Sequence, residues 1–493
     1  MSLFLSKSGY IHGKQCLKQL WLDNNTPELK DDTDSDDSIF AEGSEVGALA
    51  REFFAPYELV EFTDLHTMTC ITSRFLHDGV NTIAEASFSY NGLFCSIDIL
   101  RHYGNKRIEI YEVKSSTSAS DVYVWDISFQ RYILENLGFT VIGTYLIHIN
   151  KHYVRNGKLD LKEFFIAENI TALTKERQEM VQKDLSYLED HIELPHEPEI
   201  DIGAQCFSPY ACPYWCHCTK HLPHPNIFDV SSVQLSTKLK NYQRGIVSYK
   251  DIYENNAVSK NSMLQVEFEL NNSTDYIDKK QIRKVLDNLY YPLYFLDFES
   301  FNPAIPTYEK TSPYEQIPFQ YSLHYYESEN AELMHKEFLA YPGSDPRRQL
   351  AENLVKDIPL DTCTIAYNMS FEKSVIKKLA ALYTDLSDHL LNISDHMQDL
   401  IIPFRKKYYY SKDMQGSYSI KYVLPALFPD DKELDYHSLE GVHNGKEASD
   451  MFKMMQHISG EELEKSRSSL LSYCSLDTYA MVKIYQKLKE VTS

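Results

Sequence analysis

The chain has 493 residues, 43% hydrophobic and 24% charged, with a formal net charge of −22. It holds no run of about 18 apolar residues, which argues against a membrane-spanning helix. The opening segment, MSLFLSKSGYIHGKQC, lacks the apolar core and small-residue cleavage site of a signal peptide, so cytoplasm is the expected compartment. An acidic chain suits long nucleic-acid duplexes poorly, because phosphate contacts are electrostatic. Carboxylate-rich metal sites carry charge that cations cancel, however, and two basic runs stand out: Arg405, Lys406 and Lys407, and Lys279, Lys280, Arg283 and Lys284.

In chain order, residues 31–37 (DDTDSDD) predict a loop. Residues 40–54, FAEGSEVGALAREFF, place apolar residues at helical spacing. From 83 to 114 the period changes to strands, IAEASFSY, LFCSIDIL and KRIEIYEVK. Asn91-Gly92 between the first two is a hairpin signal. A helix over 121–137 ends at Gly138, TVIGTYLIHIN reads as a buried strand, and 171–193 as a charged amphipathic helix. Pro223, Pro225 and Asn271-Asn272-Ser273 mark a junction, with a helical pair over Ser232–Ile252 broken at Gly245. The second half opens on the strand YPLYFLDFES, followed by FQYSLHYY, TCTIAYN, the helix FEKSVIKKLAALY and a helix over about 462–490. Both halves are of α/β class, and the expected domains are 1–222, a small helical linker 223–289, and 290–493.

Asp98 lies in the strand SIDIL, and Glu112 and Lys114 lie two apart in IYEVKSS. Residues i and i+2 of a strand share a face, so an acid on one strand can meet a Glu-x-Lys on its neighbour. Two carboxylates there hold Mg²⁺ or Mn²⁺, and the lysine orients or activates water.

These segments resemble the PD-(D/E)xK nucleases of the RecB-like, CRISPR-associated exonuclease type. IAEASFSYNGLFCSIDIL is similar to their "E-x-x-F … D" run and IYEVKSST to their "E-x-K-S" run. FAEGSEVGALAREFF is similar to their leading helix, where the resemblance offers Glu45, or else Glu42, as a further ligand. SFQRYILE is similar to the trailing helix, where Gln130 helps place the site; the usual Gln-x-x-x-Tyr has Leu134 at its later position.

Nine cysteines are unevenly spread: Cys16 stands alone, Cys206, Cys212, Cys216 and Cys218 crowd into 13 residues, and Cys70, Cys95, Cys363 and Cys474 are scattered. Clustered cysteines in a cytosolic protein suggest metal or cluster ligation before disulfides. In the iron–sulfur members of the same family one Cys precedes the core and three follow it. The resemblance implies Cys16, Cys206, Cys212 and Cys218 around a [4Fe–4S] cluster that staples the domain, with zinc as the alternative and Cys216 as the competitor of Cys218.

In FLDFES an apolar strand carries Asp297 and Glu299 on one face, a costly arrangement unless cations or protons neutralise it. YNMSFEKSVI places Glu372 at a helix start, and YCSLDTYAM places Tyr473 and Asp477 four apart on a helix. Two divalent ions could then flank a scissile phosphate, with Tyr473 orienting the water. The residues resemble DnaQ-like, RNase H-fold 3′–5′ exonucleases, with Glu372 where Asp is usual. LYFLDFESF, AYNMSFEKSVI, GSYSIKYVLPALFP and YCSLDTYAMV resemble, more closely, an uncharacterised domain family often fused behind RecB-like nucleases. Asp399 is a nearby acid without an assigned role, and His443 with Asp450 forms a weaker final motif.

The expectation is a metal-dependent nuclease acting on phosphodiester bonds of DNA, at ends or single strands, in repair, recombination or defence. The alternatives are one catalytic domain beside a nucleic-acid-binding one, or RNA as substrate.

Overall fold

The computed structural model describes residues 4–31, 37–192 and 194–493, and their side chains except those of 37–40 and 437. Of the acidic run expected as a loop, residues 32–36 lie outside the described residues. No helix among the described residues is long and apolar enough to cross a membrane. The molecule is mixed α/β and divides into two units: residues 1–221 with 303–314, and residues 222–302 with 315–493.

The first unit is built on a seven-stranded sheet. Its strands are β1 (Leu5–Ser6), β2 (Glu58–Leu59), β3 (Thr82–Tyr90), β4 (Leu93–His102), β5 (Arg107–Lys114), β6 (Thr140–Ile149) and β7 (Phe165–Asn169). They run in the order β2-β3-β4-β5-β6-β7, with β1 added parallel to β4. β3, β4 and β5 form an antiparallel meander, and β5 and β6 are parallel. Such a pair needs a crossover, supplied by a helix whose Ile127, Phe129 and Ile133 pack into the core with Ile97, Ile108 and Ile110.

The helices of six residues or more in this unit are α1 (Lys7–Gln15), α2 (Leu17–Asn25), α3 (Asp37–Phe53), α4 (Leu65–His77), α5 (Asp121–Asn136, the crossover), α6 (Thr171–Glu176) and α7 (Gln178–Ile192). The continuous helix expected over 171–193 is broken at Arg177. Its N–H caps the carbonyls of Leu173 and Lys175, and its guanidinium is drawn to the Asp121 carboxylate. α3 covers the opposite sheet face, where Val46, Ala50 and Phe54 meet Ile99, Tyr111 and Ile147. Ala304 belongs to that core, so residues 303–314, expected in the C-terminal domain, fold with this unit: Arg155 donates to the carbonyls of Pro306 and Thr307 at 2.8 Å.

In the second unit, residues 223–289, expected as a linker, form α8 (Leu235–Gln243), α9 (Tyr249–Glu254), α10 (Lys260–Leu270), β8 (Asp275–Ile277) and α11 (Lys279–Leu286). Ile227, Val230, Ile252 and Val266 make a small core of their own, and Ile282 enters the main core of the unit. The main sheet contains β9 (Leu293–Phe301), β10 (Ile317–Tyr326), β11 (Met334–Leu339), β12 (Cys363–Ala366) and β13 (Met397–Asp399), in the order β11-β10-β9-β12-β13. β9, β10 and β11 are antiparallel, while β12 and β13 run parallel to β9. A short strand, β14 (Tyr409–Ser411), pairs with β8.

β9 shows why the sheet holds together: Tyr294, Leu296 and Phe298 face α12 (Arg347–Asp357), α13 (Ser370–Leu382) and α14 (Ser387–Asp395). Leu293 and Phe295 face α15 (Ile420–Leu427) and the C-terminal helix, and α16 (Gly445–Met454) packs on the same strand. That last helix, α17 (Glu461–Thr492), buries Leu470, Tyr473, Cys474, Ala480, Met481, Ile484 and Leu488, a stripe at helical spacing.

Candidate functional site

Each unit gathers acids on a central strand. In the first unit Asp98 on β4 and Glu112 on β5 meet where the pairing ends at Ile99↔Tyr111, and the N–H of Val113 donates to Asp98 Oδ2 at 2.6 Å. Glu112 is 1% exposed. Its Oε1 accepts from Lys114 Nζ at 2.8 Å, and its Oε2 from the amide of fully buried Gln130 on α5 at 2.6 Å. The Gln130 assignment therefore places that side chain on Glu112, while Leu134, one turn on, is core.

Burial opposes charge on Glu112, yet Lys114 and Lys7 overcome it and hold its pKa well below the usual carboxylate range. Asp98 goes the other way. Burial, reinforced by the charge of Glu112, pushes its pKa up to about 7. Two interacting carboxylates on adjacent strands are thus set in opposite protonation tendencies.

Two residues of this group, Lys7 and Asp126, were not anticipated, and a third, Glu85, stood in the E-x-x-F run without an assigned role. Lys7, at the start of α1, reaches Glu112 Oε1 at 2.6 Å. Asp126 on α5 accepts from Lys114 at 2.9 Å, and its pKa is raised by burial. Asp126 precedes Gln130 by four residues, so helical spacing alone puts them on one face. Glu85 falls opposite Asp98 in the β3–β4 register, between the pairs Ala84↔Ile99 and Ala86↔Ile97. Its φ is +57°, an uncommon conformation for glutamate, and the ladder breaks there. Burial raises its pKa, and Arg51 pairs with it at 3.4 Å. The hydrogen bonds that link Glu112, Lys114 and Gln130, and the one from Val113 to Asp98, include neither Glu45, which is exposed, nor Glu42, which lies against Tyr314.

Cys16, Cys206, Cys212 and Cys218 line one cavity of about 160 Å³, beside Lys18 and His217. Burial raises the thiol pKa of Cys206 and Cys218, and that of Cys212 to about 11. Cys16 ends α1 in extended conformation, and the N–H of Cys212 donates to the Cys206 carbonyl at 2.9 Å. Cys216 is exposed and its thiol is engaged by Asp31. All nine cysteines are free thiols. The cavity has room for several water-sized groups rather than one ion, and four thiols around it are a donor set for a cluster.

In the second unit Asp297 and Glu299 continue the face of β9 that Leu293 and Phe295 turn to α17. There they meet Asp477, which falls in the buried stripe of that helix. Tyr436 donates to Asp477 Oδ1 at 2.6 Å, and Tyr473 also hydrogen-bonds it. Burial pushes the Asp477 pKa to about 6 against these bonds. Burial, then the charge of Asp477, raises Asp297 and Glu299 well above the usual range, with Glu299 and Glu372 adding to the effect on Asp297.

Glu372, in the first turn of α13, is 3% exposed. Its pKa is pushed by burial to about 8, and its Oε2 has no hydrogen-bond partner. Asp399 on β13 adds a negative charge near it while accepting the N–H groups of Asn368 and Ile401. His443 pairs with Glu447 at 3.0 Å and Asp450 with Lys453 at 3.8 Å, so both are spent on local contacts.

Tyr436 and Cys474 are additions no sequence motif announced. One ligand atom each from Asp297, Glu299 and Cys474 lie within 4.8 Å of one another. Oxygen donors on one face, with an orphaned buried carboxylate oxygen on Glu372, are the chemistry that Mg²⁺ or Mn²⁺ requires. In the first unit Asp126 Oδ1 and Gln130 Oε1 are likewise buried without partners. The basic runs are partly committed elsewhere: Lys407 donates to the Asn261 carbonyl, Arg283 to that of Thr492, and Arg405 lies 3.7 Å from Asp399.

A family model described as a domain of unknown function (DUF2779) matches residues 294–419. That span includes Asp297, Glu299 and Glu372 and stops before α17. A curated relative, the uncharacterized protein MG366 homolog of Mycoplasma pneumoniae (strain ATCC 29342 / M129 / Subtype 1), is 25% identical over 214 residues. The alignment covers 40% of this chain and 32% of the relative, so the chain spans about a third of that protein's length.

Proposed function

We propose that the protein is a metal-dependent nuclease with one hydrolytic site in each unit. The observation that carries this reading is the convergence, on the central strand of the second sheet, of Asp297, Glu299 and Asp477, with Glu372 beside them. Concentrating four acids in a buried place is costly without cations. The sheet order, three antiparallel strands followed by two parallel to the first, supports an RNase H-like reading of this unit, and the D-x-E pair lies on that first strand. A divalent cation bound there would generate the attacking hydroxide and stabilise the leaving oxygen.

The chain's own residues supply the rest. Asp297, Glu299 and Asp477 hold the cation, and Glu372 completes the cage through its unpartnered oxygen. Tyr436 fixes one oxygen of Asp477 and so orients the other. The Tyr473 hydroxyl, kept protonated by burial and by Asp477, positions the water.

In the first unit the helix–meander–crossover helix–strand order supports a PD-(D/E)xK reading. Asp98 and Glu112 hold the cation, Gln130 orients Glu112, and Lys114, whose pKa the surrounding carboxylates raise against burial, presents an ammonium to water or phosphate. Cys16, Cys206, Cys212 and Cys218 hold a [4Fe–4S] cluster as a staple between the two ends of the domain, zinc being the rival. Phosphodiester bonds of DNA, at ends or single strands, are the substrate. The test is Mg²⁺- or Mn²⁺-dependent cleavage of end-labelled single- and double-stranded DNA and RNA. Asp297→Asn abolishes the nucleotide-by-nucleotide product ladder if the second site is an exonuclease; an unchanged ladder removes that assignment.

A further inference from the structure

Lys7 has no part in the chemistry described so far, yet its contact with Glu112 is as short as any in the first site. Its ammonium lies 2.6 Å from Glu112 Oε1 and 3.7 Å from Asp126. Lys114 reaches the same Glu112 oxygen at 2.8 Å, and Gln130 takes the other oxygen at 2.6 Å. Both lone pairs of Glu112 Oε1 are therefore taken by ammoniums, while Oε2 accepts from Gln130 alone. A cation can ligate Oε1 only by displacing one of the two lysines.

The three donors are not equally held. Gln130 is fully buried on the crossover helix. Lys114 keeps a second short partner, Asp126 at 2.9 Å, when it leaves Glu112. The second contact of Lys7, with Asp126 at 3.7 Å, is beyond hydrogen-bond reach. Lys7 is thus the donor that a cation displaces at least cost, and the one left with an unsatisfied ammonium afterwards.

Charge balance gives that ammonium a destination. Asp98, Glu112 and Asp126 face Lys7 and Lys114, while Glu85 is offset by Arg51. When Asp98 and Asp126, which burial draws toward protonation, are ionised around a cation, three carboxylates against two ammoniums leave one negative charge. A divalent cation turns this into one positive charge, equal and opposite to that of a single phosphodiester.

We infer that Lys7 is a displaceable counter-ion: it holds Glu112 until a divalent cation takes that oxygen, and it then binds a non-bridging oxygen of the substrate phosphodiester. This rests on the metal-site reading of Asp98 and Glu112. No covalent step involves Lys7; it exchanges one anionic partner for another.

The test is Mn²⁺ titration of the full chain without nucleic acid, in an Asp297→Asn background, following free Mn²⁺ by its paramagnetic resonance. Removing the competing charge with Lys7→Gln tightens Mn²⁺ binding about fivefold or more, whereas Lys7→Arg, which keeps it, stays within about twofold of the parent. The same Lys7→Gln variant cleaves DNA about tenfold more slowly despite its tighter metal. Lys7→Met, also uncharged, gives the same comparison should glutamine disturb the fold. Mn²⁺ binding that Glu112→Gln weakens but that Lys7→Gln and Lys7→Met leave unchanged overturns the role of Lys7 alone. Binding that Glu112→Gln leaves unchanged overturns the metal-site reading and this inference with it.

Discussion

Glu112 and Glu372 are both nearly inaccessible carboxylates, and their surroundings act on them in opposite directions. Two lysines hold Glu112 ionised against the cost of burial. Its depressed pKa means a stabilisation present above the ordinary glutamate range and lost as pH falls through the lower native value. Burial dominates at Glu372, which sits at about 8 with an orphaned oxygen. Its raised pKa means a stabilisation fully present below the ordinary value of about 4.3 and lost as pH rises through about 8. Asp297, Glu299 and Asp477 shift the same way. In chelator, the thermal midpoint of the second unit therefore falls between pH 5 and pH 8. Mn²⁺ restores it most at the upper end, and Glu372→Gln flattens the trend; a midpoint that climbs with pH in chelator contradicts the assignment. Gln130 offers a second residue-scale test. As the group orienting Glu112, its replacement by leucine is expected to lower metal affinity or cleavage about 10–100-fold with little change in the fold. Unchanged titrations and rates would leave Gln130 as a packing residue only.

At the scale of elements, the β3–β4 hairpin shows what the sequence already contained. Antiparallel pairing about Asn91-Gly92 places equidistant residues opposite each other, and Glu85 and Asp98 are equidistant from that turn. Glu85 was therefore within reach of the sequence; its left-handed φ was not, because nothing local demands it. The alternation of β9 likewise foretold that Asp297 and Glu299 share a face of the strand, and the spacing along α17 that Tyr473 and Asp477 share a face of the helix. Tyr436 and Lys7 could not be placed in advance, since contacts that depend on tertiary packing carry no period. The same packing makes α1 sensitive at Gly13, where an added Cβ would lie 2.7 Å from Leu188 Cδ2 and 2.8 Å from Leu20 Cδ2. Gly13→Val is expected to cost about 1–3 kcal/mol, read as an earlier urea midpoint of the first unit. Full stability in that variant would mean that α1, α2 and α7 are not packed this closely.

On the scale of the molecule, the two units carry separate reporters. Trp21, Trp125 and Trp215, the three tryptophans, all belong to the first unit, so tryptophan fluorescence follows that unit alone. Cys16→Ser is expected to remove visible absorbance and lower the tryptophan-reported midpoint by several degrees. The transition seen only by circular dichroism stays in place. A colourless wild-type protein containing zinc would replace the cluster with its rival. The outline of two α/β units was readable from periodicity, but their borders were not. Residues 223–289 read as a linker on Pro223, Pro225 and the polar Asn271-Asn272-Ser273, yet Ile282 is buried in the main core of the unit, with Leu286 and Leu289 packed against that core. Residues 303–314 join the first unit through Arg155 and Ala304, a long-range arrangement no local pattern encodes.

The central claim is that both acidic groups are hydrolytic sites, and the most direct measurement is Mn²⁺-dependent cleavage of end-labelled DNA by wild type, Lys114→Ala, Asp297→Asn and the double variant. Each single substitution is expected to remove a different part of the product pattern, with Lys114→Ala slowing its share by about 10²–10⁴-fold, and the double variant to be inert. Cleavage by the double variant at the wild-type rate and pattern would contradict the account.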